Sequence, residues 1–178
     1  KNKNNQWESI TWNEFGSKIK AIAKALIDLK LQPGEMCAIF SQNRAEWAIA
    51  DLGILATRAV SVPIYATNSK EEAEYIIDDA EVKIIFTGDQ AQYDKAKAII
   101  ADNKHLKLIV AFDRDTKISG NDSIYFDELI DKGNKLTNDE EFKSRLNTVN
   151  PDDILTLIYT SGTTGKPKGA IHTHRSFM

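Results

Sequence analysis

The stretch Ile154-Leu155-Thr156-Leu157-Ile158-Tyr159-Thr160-Ser161-Gly162-Thr163-Thr164-Gly165-Lys166-Pro167-Lys168-Gly169 decides how the rest of the chain is read. Its first part, residues 154–159, is an apolar run of strand length. From Thr160 on, four hydroxyl residues, three glycines and two lysines follow with almost no apolar content. That is a buried strand delivering a polar loop. Glycines let the main chain turn through positive φ and let a ligand come close, while hydroxyls, free N–H groups and ammonium groups supply donors and charge. Those are the needs of a polyphosphate. The spacing excludes a Walker A loop, because a start at Gly162 requires Gly-Lys-Ser/Thr from position 167, where proline stands. It also excludes the dinucleotide fingerprint, since Gly162, Gly165 and Gly169 miss the G-x-G-x-x-G offsets. Ala170-Ile171-His172 reads as strand, so the loop holds an anion through its own donors and not through a helix N-terminus. A Gly/Ser/Thr surface linker is the bland alternative, and it gives no reason for two lysines flanking a proline.

Upstream, apolar strand-length runs alternate with capped helices. Thr11 and Glu14 form a capping box ahead of Trp12, Phe15, Ile19, Ile22, Ala23, Leu26 and Leu29, which predicts a helix over 12–30, ended by Pro33-Gly34. Strands are expected at 36–40, 59–65, 82–87 and 106–112, with Pro63 at a strand end or bulge because it has no N–H for the ladder. Asn43 with Glu46, Ser69 with Glu72 and Asp89 with Gln92 open the helices between them. Val-, Ile-, Leu- and Phe-rich strands separated by helices predict the α/β class, a largely parallel sheet with helices on both faces. From 113 to 150 the pattern weakens to short helical candidates at 126–131 and 140–146. That region reads as a peripheral excursion. The pair Asp152-Asp153 reads as turn chemistry before the strand, and Trp12, Phe15, Trp47 and Tyr75, at helical spacing, as core.

With 178 residues, 42% hydrophobic and 28% charged, the chain has the composition of a globular protein with a real core. A net charge of -3 argues against a nucleic-acid surface, so an anionic ligand must be held by local positive groups. The one cysteine, Cys37, sits in an apolar run and reads as a small buried hydrophobe in a reducing, cytoplasmic compartment. No apolar segment reaches membrane-spanning length. The start, Lys1-Asn2-Lys3-Asn4-Asn5, has neither an initiator Met nor an apolar signal region, as expected of an internal piece of a longer protein.

The run Thr160 to Gly169, preceded by Asp153 and an apolar strand, resembles the signature loop of the AMP-forming adenylating enzymes: acyl-CoA synthetases, luciferases and peptide-synthetase adenylation domains. The likeness extends to Ile10-Thr11-Trp12, Pro33-Gly34-Glu35, Asn43-Arg44-Ala45-Glu46-Trp47 and Ala59-Val60-Ser61-Val62-Pro63. The segment Pro63 to Ser69 followed by Glu74-Tyr75-Ile76-Ile77 is closer to the long-chain fatty-acid CoA ligases. The loop alone leaves open an amino-acid-activating adenylation domain or a noncatalytic nucleotide-binding module.

The resemblance implies that residues 1–178 are the N-terminal portion of the large adenylating (AMP-binding) domain, truncated after the phosphate loop. The later aromatic-Gly-x-Thr-Glu motif, the hinge and the C-terminal domain with its catalytic lysine have no counterpart, so the fragment alone is expected to be inactive. The implied substrates of the parent are ATP, a fatty acid and CoA, with Mg²⁺. Thr160, Ser161, Thr163 and Thr164 would bind β- and γ-phosphate oxygens, with Gly162 and Gly165 allowing close approach. Lys168 would make the direct cationic contact, whereas Lys166 stands equally as a phosphate ligand or a solvated charge. Thr163 would be half of a metal site, completed by a later Glu. His172 and His174 are expected to be structural or to shape the acyl side rather than to bind metal. The branch leaves room for peripheral membrane association of the parent and sets no oligomeric state.

Overall fold

A computed structural model describes residues 8–160 and 166–177. Helix α1 (Trp12–Asp28) starts at the Thr11–Glu14 capping box, in which Thr11 Oγ1 accepts from the Glu14 N–H and the Glu14 carboxylate accepts from the Thr11 N–H. Then come β1 (Met36–Phe40), α2 (Ala45–Leu55), β2 (Val60–Ile64), α3 (Lys70–Asp79), β3 (Ile84–Thr87), α4 (Gln90–Ile100) and β4 (Leu108–Ala111). Ser69–Glu72 and Asp89–Gln92 close the expected capping boxes of α3 and α4. The chain continues through β5 (Ser123–Tyr125), α5 (Phe126–Lys135), α6 (Glu140–Asn147), β6 (Ile154–Thr160), β7 (Lys168–Thr173) and a 3₁₀ turn at His174–Phe177.

The strands form one sheet in the order β5-β4-β3-β1-β2-β6-β7, parallel throughout except for the β6–β7 hairpin. Alternate residues of each central strand feed two cores, since successive side chains leave opposite faces. Cys37, Ile39, Ile84 and Phe86 face α1, α2 and α5 with Ile22, Leu26, Phe126 and Leu129. Ala38, Phe40, Val62 and Ile85 face the α3–α4 side with Ile76, Ile77, Tyr93 and Tyr159. Coverage of both faces is why these strands read as unbroken apolar runs. Cys37 is fully buried, and burial pushes its thiol pKa up, so it behaves as a small hydrophobe. Among the described residues no helix is long and apolar enough to cross a membrane.

Four expectations need correction. Trp12 is not core: it is 87% exposed and meets Phe15 edge-on at 6.0 Å, whereas Phe15, Trp47 and Tyr75 are partly buried and pack against the core as expected. Trp12 is the first residue of α1 and stands outside the stripe that the rest of the helix buries. Helix α2 is capped at Arg44 and not at Asn43, with no side-chain cap bond, because a guanidinium has no acceptor for the first-turn N–H groups. Pro63 lies inside β2, paired with Ile39. Its tolerance has a geometric cause: the Val60 N–H donates to the Glu35 carbonyl on the β1 side, so by alternation the Pro63 nitrogen faces β6, where the ladder has one pair, Ser61 with Thr156.

The fourth concerns residues 113–150, which are not a peripheral excursion. They add β5 to the sheet edge and lay α5 on α1, burying Phe126 and Leu129. Gly133 makes that approach possible, since a Cβ there would lie 1.9 Å from the Ala21 carbonyl oxygen. Helix α6 is fastened from below by Arg145, which is 6% exposed and donates to the Leu31 carbonyl at 2.7 Å and the Thr57 carbonyl at 3.2 Å.

Candidate functional site

In an open parallel sheet, ligands bind outside the carboxyl ends of the strands, where neighbouring strands send their connections to opposite faces. Strand β1 continues into α2 on one face, while both its neighbours, β2 and β3, continue into α3 and α4 on the other. Two crevices therefore flank the end of β1. The β1–β3 crevice is filled: Arg44 donates twice to Asp113 (2.9 and 3.2 Å) and to the Gly88 carbonyl, pairs with Glu46 and lies over the Phe112 ring. These partners hold the Arg44 pKa above its ordinary value against the opposing effect of burial. The β1–β2 crevice is open. It holds a cavity of about 350 Å³ lined by Ser41, Asn43, Trp47, Pro63, Tyr65 and Tyr159, among others.

Beside that cavity the β6–β7 hairpin carries the glycine- and hydroxyl-rich stretch. Thr160, the last residue of β6, is paired with Lys168, the first of β7, so the two face each other across the hairpin's open end. Both are exposed. Lys166 sets its ammonium 5.3 Å from the centroid of the Tyr75 ring on α3. Of the residues that the sequence marked for phosphate and metal binding, Ser161, Gly162, Thr163, Thr164 and Gly165 lie outside the described residues. Thr160 and Lys168 meet across the hairpin, and Lys166, two residues before Lys168, lies against the Tyr75 ring of α3.

The hairpin is held by contacts that no motif announces. Because β6 meets β2 at one ladder pair, its position depends on side chains at both ends. At the start, the Asp153 carboxylate accepts from the Asn150 N–H and from Arg58 (2.9 Å). That backbone bond, then Arg58, holds its pKa below the usual carboxylate value. Asp152 pairs with Arg175 at 2.7 Å, so both aspartates do stabilise the turn. At the far end, the Tyr159 hydroxyl donates to Asp79 at 2.6 Å, and burial followed by that carboxylate pushes the phenol pKa up. Gly169 stands opposite Tyr159, and a Cβ there would come within 3.1 Å of the ring. This glycine makes room for an aromatic ring. His172 packs edge-on against Phe177 at 5.9 Å, and the His174 N–H donates to the Asp153 carbonyl. Among the described residues, no group of three or more His, Cys, Asp or Glu could hold a metal ion.

Residues 2–178 match the profile of a family described as AMP-binding enzyme. The chain belongs to that family. Curated AMP-binding relatives include the long-chain-fatty-acid–CoA ligase FadD15 of Mycobacterium tuberculosis, 37% identical over 172 residues, which is 97% of this chain and 28% of that protein. The long-chain-fatty-acid–CoA ligase ACSBG2 of Xenopus laevis is 31% identical over 169 residues, covering 95% of this chain and 23% of that protein. The chain thus spans about a quarter of the length of the relatives it matches. Among solved structures, an anthranilate CoA ligase, AuaEII, in complex with anthranoyl-AMP superimposes with a TM-score of 0.77 at 24% identity, over 94% of this chain and 30% of that one. At that identity the match establishes the fold: the α/β sheet of an adenylating ligase.

Proposed function

We propose that the chain is the N-terminal portion of the adenylating domain of an ATP-dependent, AMP-forming long-chain acyl-CoA synthetase, and that the segment from Thr160 to Lys168 binds the β- and γ-phosphates of ATP. The observation that supports this most directly is the pairing of Thr160 with Lys168 at a hairpin mouth beside the open crevice of the sheet. The relatives named above support the long-chain branch.

In the first half-reaction, a carboxylate oxygen of the acid attacks the α-phosphorus, and the bond from that phosphorus to the oxygen bridging to the β-phosphate breaks. Negative charge moves onto the departing pyrophosphate. Lys168, the Thr160 hydroxyl and the donors of 161–165 act by stabilising that charge, a form of catalysis that fixed dipoles and ammonium groups perform without reorganising. Lys166 adds positive potential from its place on Tyr75. A divalent cation, Mg²⁺ in this family, neutralises phosphate charge when bound, and Thr163 is the hydroxyl this chain offers it. In the second half-reaction the CoA thiol attacks the acyl carbonyl and AMP leaves. The groups for adenine, acyl and CoA recognition are contributed by the rest of the parent, and buried Cys37 fits a reducing, cytoplasmic setting.

The test is Lys168→Ala in the full-length parent, assayed by ATP–pyrophosphate exchange with palmitate. Loss of one preorganised donor to a developing charge costs about 10²-fold or more in rate. An unchanged rate removes Lys168 from the site. The 178-residue chain alone should release no pyrophosphate from ATP and palmitate, and measurable release would overturn the assignment of the missing groups to the rest of the parent.

A further inference from the structure

Two side chains of α3, one helical turn apart, touch the β6–β7 hairpin on either side of its loop. Asp79 accepts the Tyr159 hydroxyl, immediately before Thr160, at 2.6 Å. Tyr75 carries the Lys166 ammonium on its ring, immediately after the loop. Residues four apart project from the same helix face, so α3 presents the two as one surface. The ladder leaves β6 free to need it, with its single pair at Ser61 and Thr156. Gly169 leaves room for the Tyr159 ring there, since a Cβ would lie within 3.1 Å of it.

We infer that Tyr75 and Asp79 are positioning residues for ATP: Asp79, through Tyr159, sets where β6 releases the loop, and the Tyr75 ring keeps Lys166 at the hairpin mouth. The inference rests on the phosphate reading of residues 160–168. The chemistry required of each residue is specific. Asp79 must offer an oxygen acceptor, and its charge strengthens the bond that the acceptor makes. Tyr75 must offer a ring face, for which its hydroxyl is irrelevant.

The experiment is ATP–pyrophosphate exchange by the full-length parent with palmitate, reading KM for ATP and KM for the acid separately. Asp79→Ala should raise the KM for ATP about tenfold, the scale of one hydrogen bond to a charged acceptor. Asp79→Asn, which keeps an acceptor oxygen but loses its charge, should raise it about threefold, between the parent and Asp79→Ala. Tyr159→Phe should match Asp79→Ala, and the double variant should be no worse than either, since both remove one contact. Tyr75→Leu should raise the KM for ATP about threefold, and Tyr75→Phe should restore it. The KM for the acid should not move in any of them.

Additive effects of Asp79→Ala and Tyr159→Phe, or an acid KM rising in step with that for ATP, would overturn the inference, because a merely structural role loosens both substrates. Should Asp79→Ala fail to fold, the contrast of Tyr75→Leu with Tyr75→Phe and the comparison of Asp79→Asn with Tyr159→Phe still decide it. If Lys168→Ala also leaves both the exchange rate and the KM for ATP untouched, the phosphate reading itself has failed. If Lys168→Ala weakens ATP while the α3 variants do not, only the positioning roles fall.

Discussion

Replacing Arg145 by methionine should cost the fold about 3 kcal/mol. The guanidinium lies under α6, 6% exposed, and donates to the carbonyls of Leu31 and Thr57, which end the segments leading into β1 and β2. Hydrogen bonds from a charged donor contribute about 1.5–3 kcal/mol each, and a carbonyl left buried without a partner costs about 1–3 kcal/mol. Methionine refills much of the volume and removes the desolvation cost of the cation, which offsets part of that loss. The pair with Glu141 adds little, because that carboxylate is largely exposed. A loss of about 3 kcal/mol is large against the 5–15 kcal/mol that holds a domain together. Urea unfolding followed by tryptophan fluorescence measures it, with Glu141→Ala as a control expected to change stability by less than about 1 kcal/mol. If Arg145→Met is no more destabilising than Glu141→Ala, then α6 is an appendage and the reading of residues 113–150 as an integral part of the fold fails with it.

Gly133→Ala should destabilise the chain by about 3 kcal/mol or more, beyond ordinary overpacking, because the new methyl meets backbone that cannot rotate away; thermal unfolding measures it, and a change under about 1 kcal/mol would mean that α5 sits farther from α1. Lys20 and Lys24 hold the Asp139 carboxyl down at about 2, below its ordinary value. A depressed folded-state pKa contributes stability that is present above the unfolded value and lost as pH falls through the folded one. Acid titration should therefore show a loss between about pH 4 and pH 2 that Asp139→Asn abolishes; an identical slope in the variant would dismiss this contact as its source.

The layered sheet was legible in the sequence because its cause is local. Apolar runs such as Met36–Phe40 and reciprocal caps such as Ser69–Glu72 act over a few residues, and both form where the spacing says. Strand β5 was not legible: its three residues include a serine and a tyrosine, and it becomes a strand only because β4 offers an edge. The same holds for α5, whose tight seat on α1 depends on a glycine that in isolation weakens a helix. At the site, the loop announced itself by composition, while its supports did not. Tyr75 and Asp79 are ordinary helix residues until the fold brings Lys166 and Tyr159 to them across 91 and 80 positions of chain, respectively. Gly169 had no role assigned from the sequence, and the fold gives it one: a Cβ there would meet the Tyr159 ring.

The sparse β2–β6 ladder changes what a distant substitution can do to chemistry at the hairpin mouth. A strand zipped along its whole length transmits any shift of its neighbour, residue by residue. Strand β6 is tied instead at three points, Asp153 below, the Thr156 hydroxyl on the Ser61 carbonyl midway and Tyr159 above, so shifts reach the hairpin through those ties. Tuning of this candidate site by variation should therefore collect at those ties, at Arg58, at Ser61 and on the surface of α3 that carries Tyr75 and Asp79.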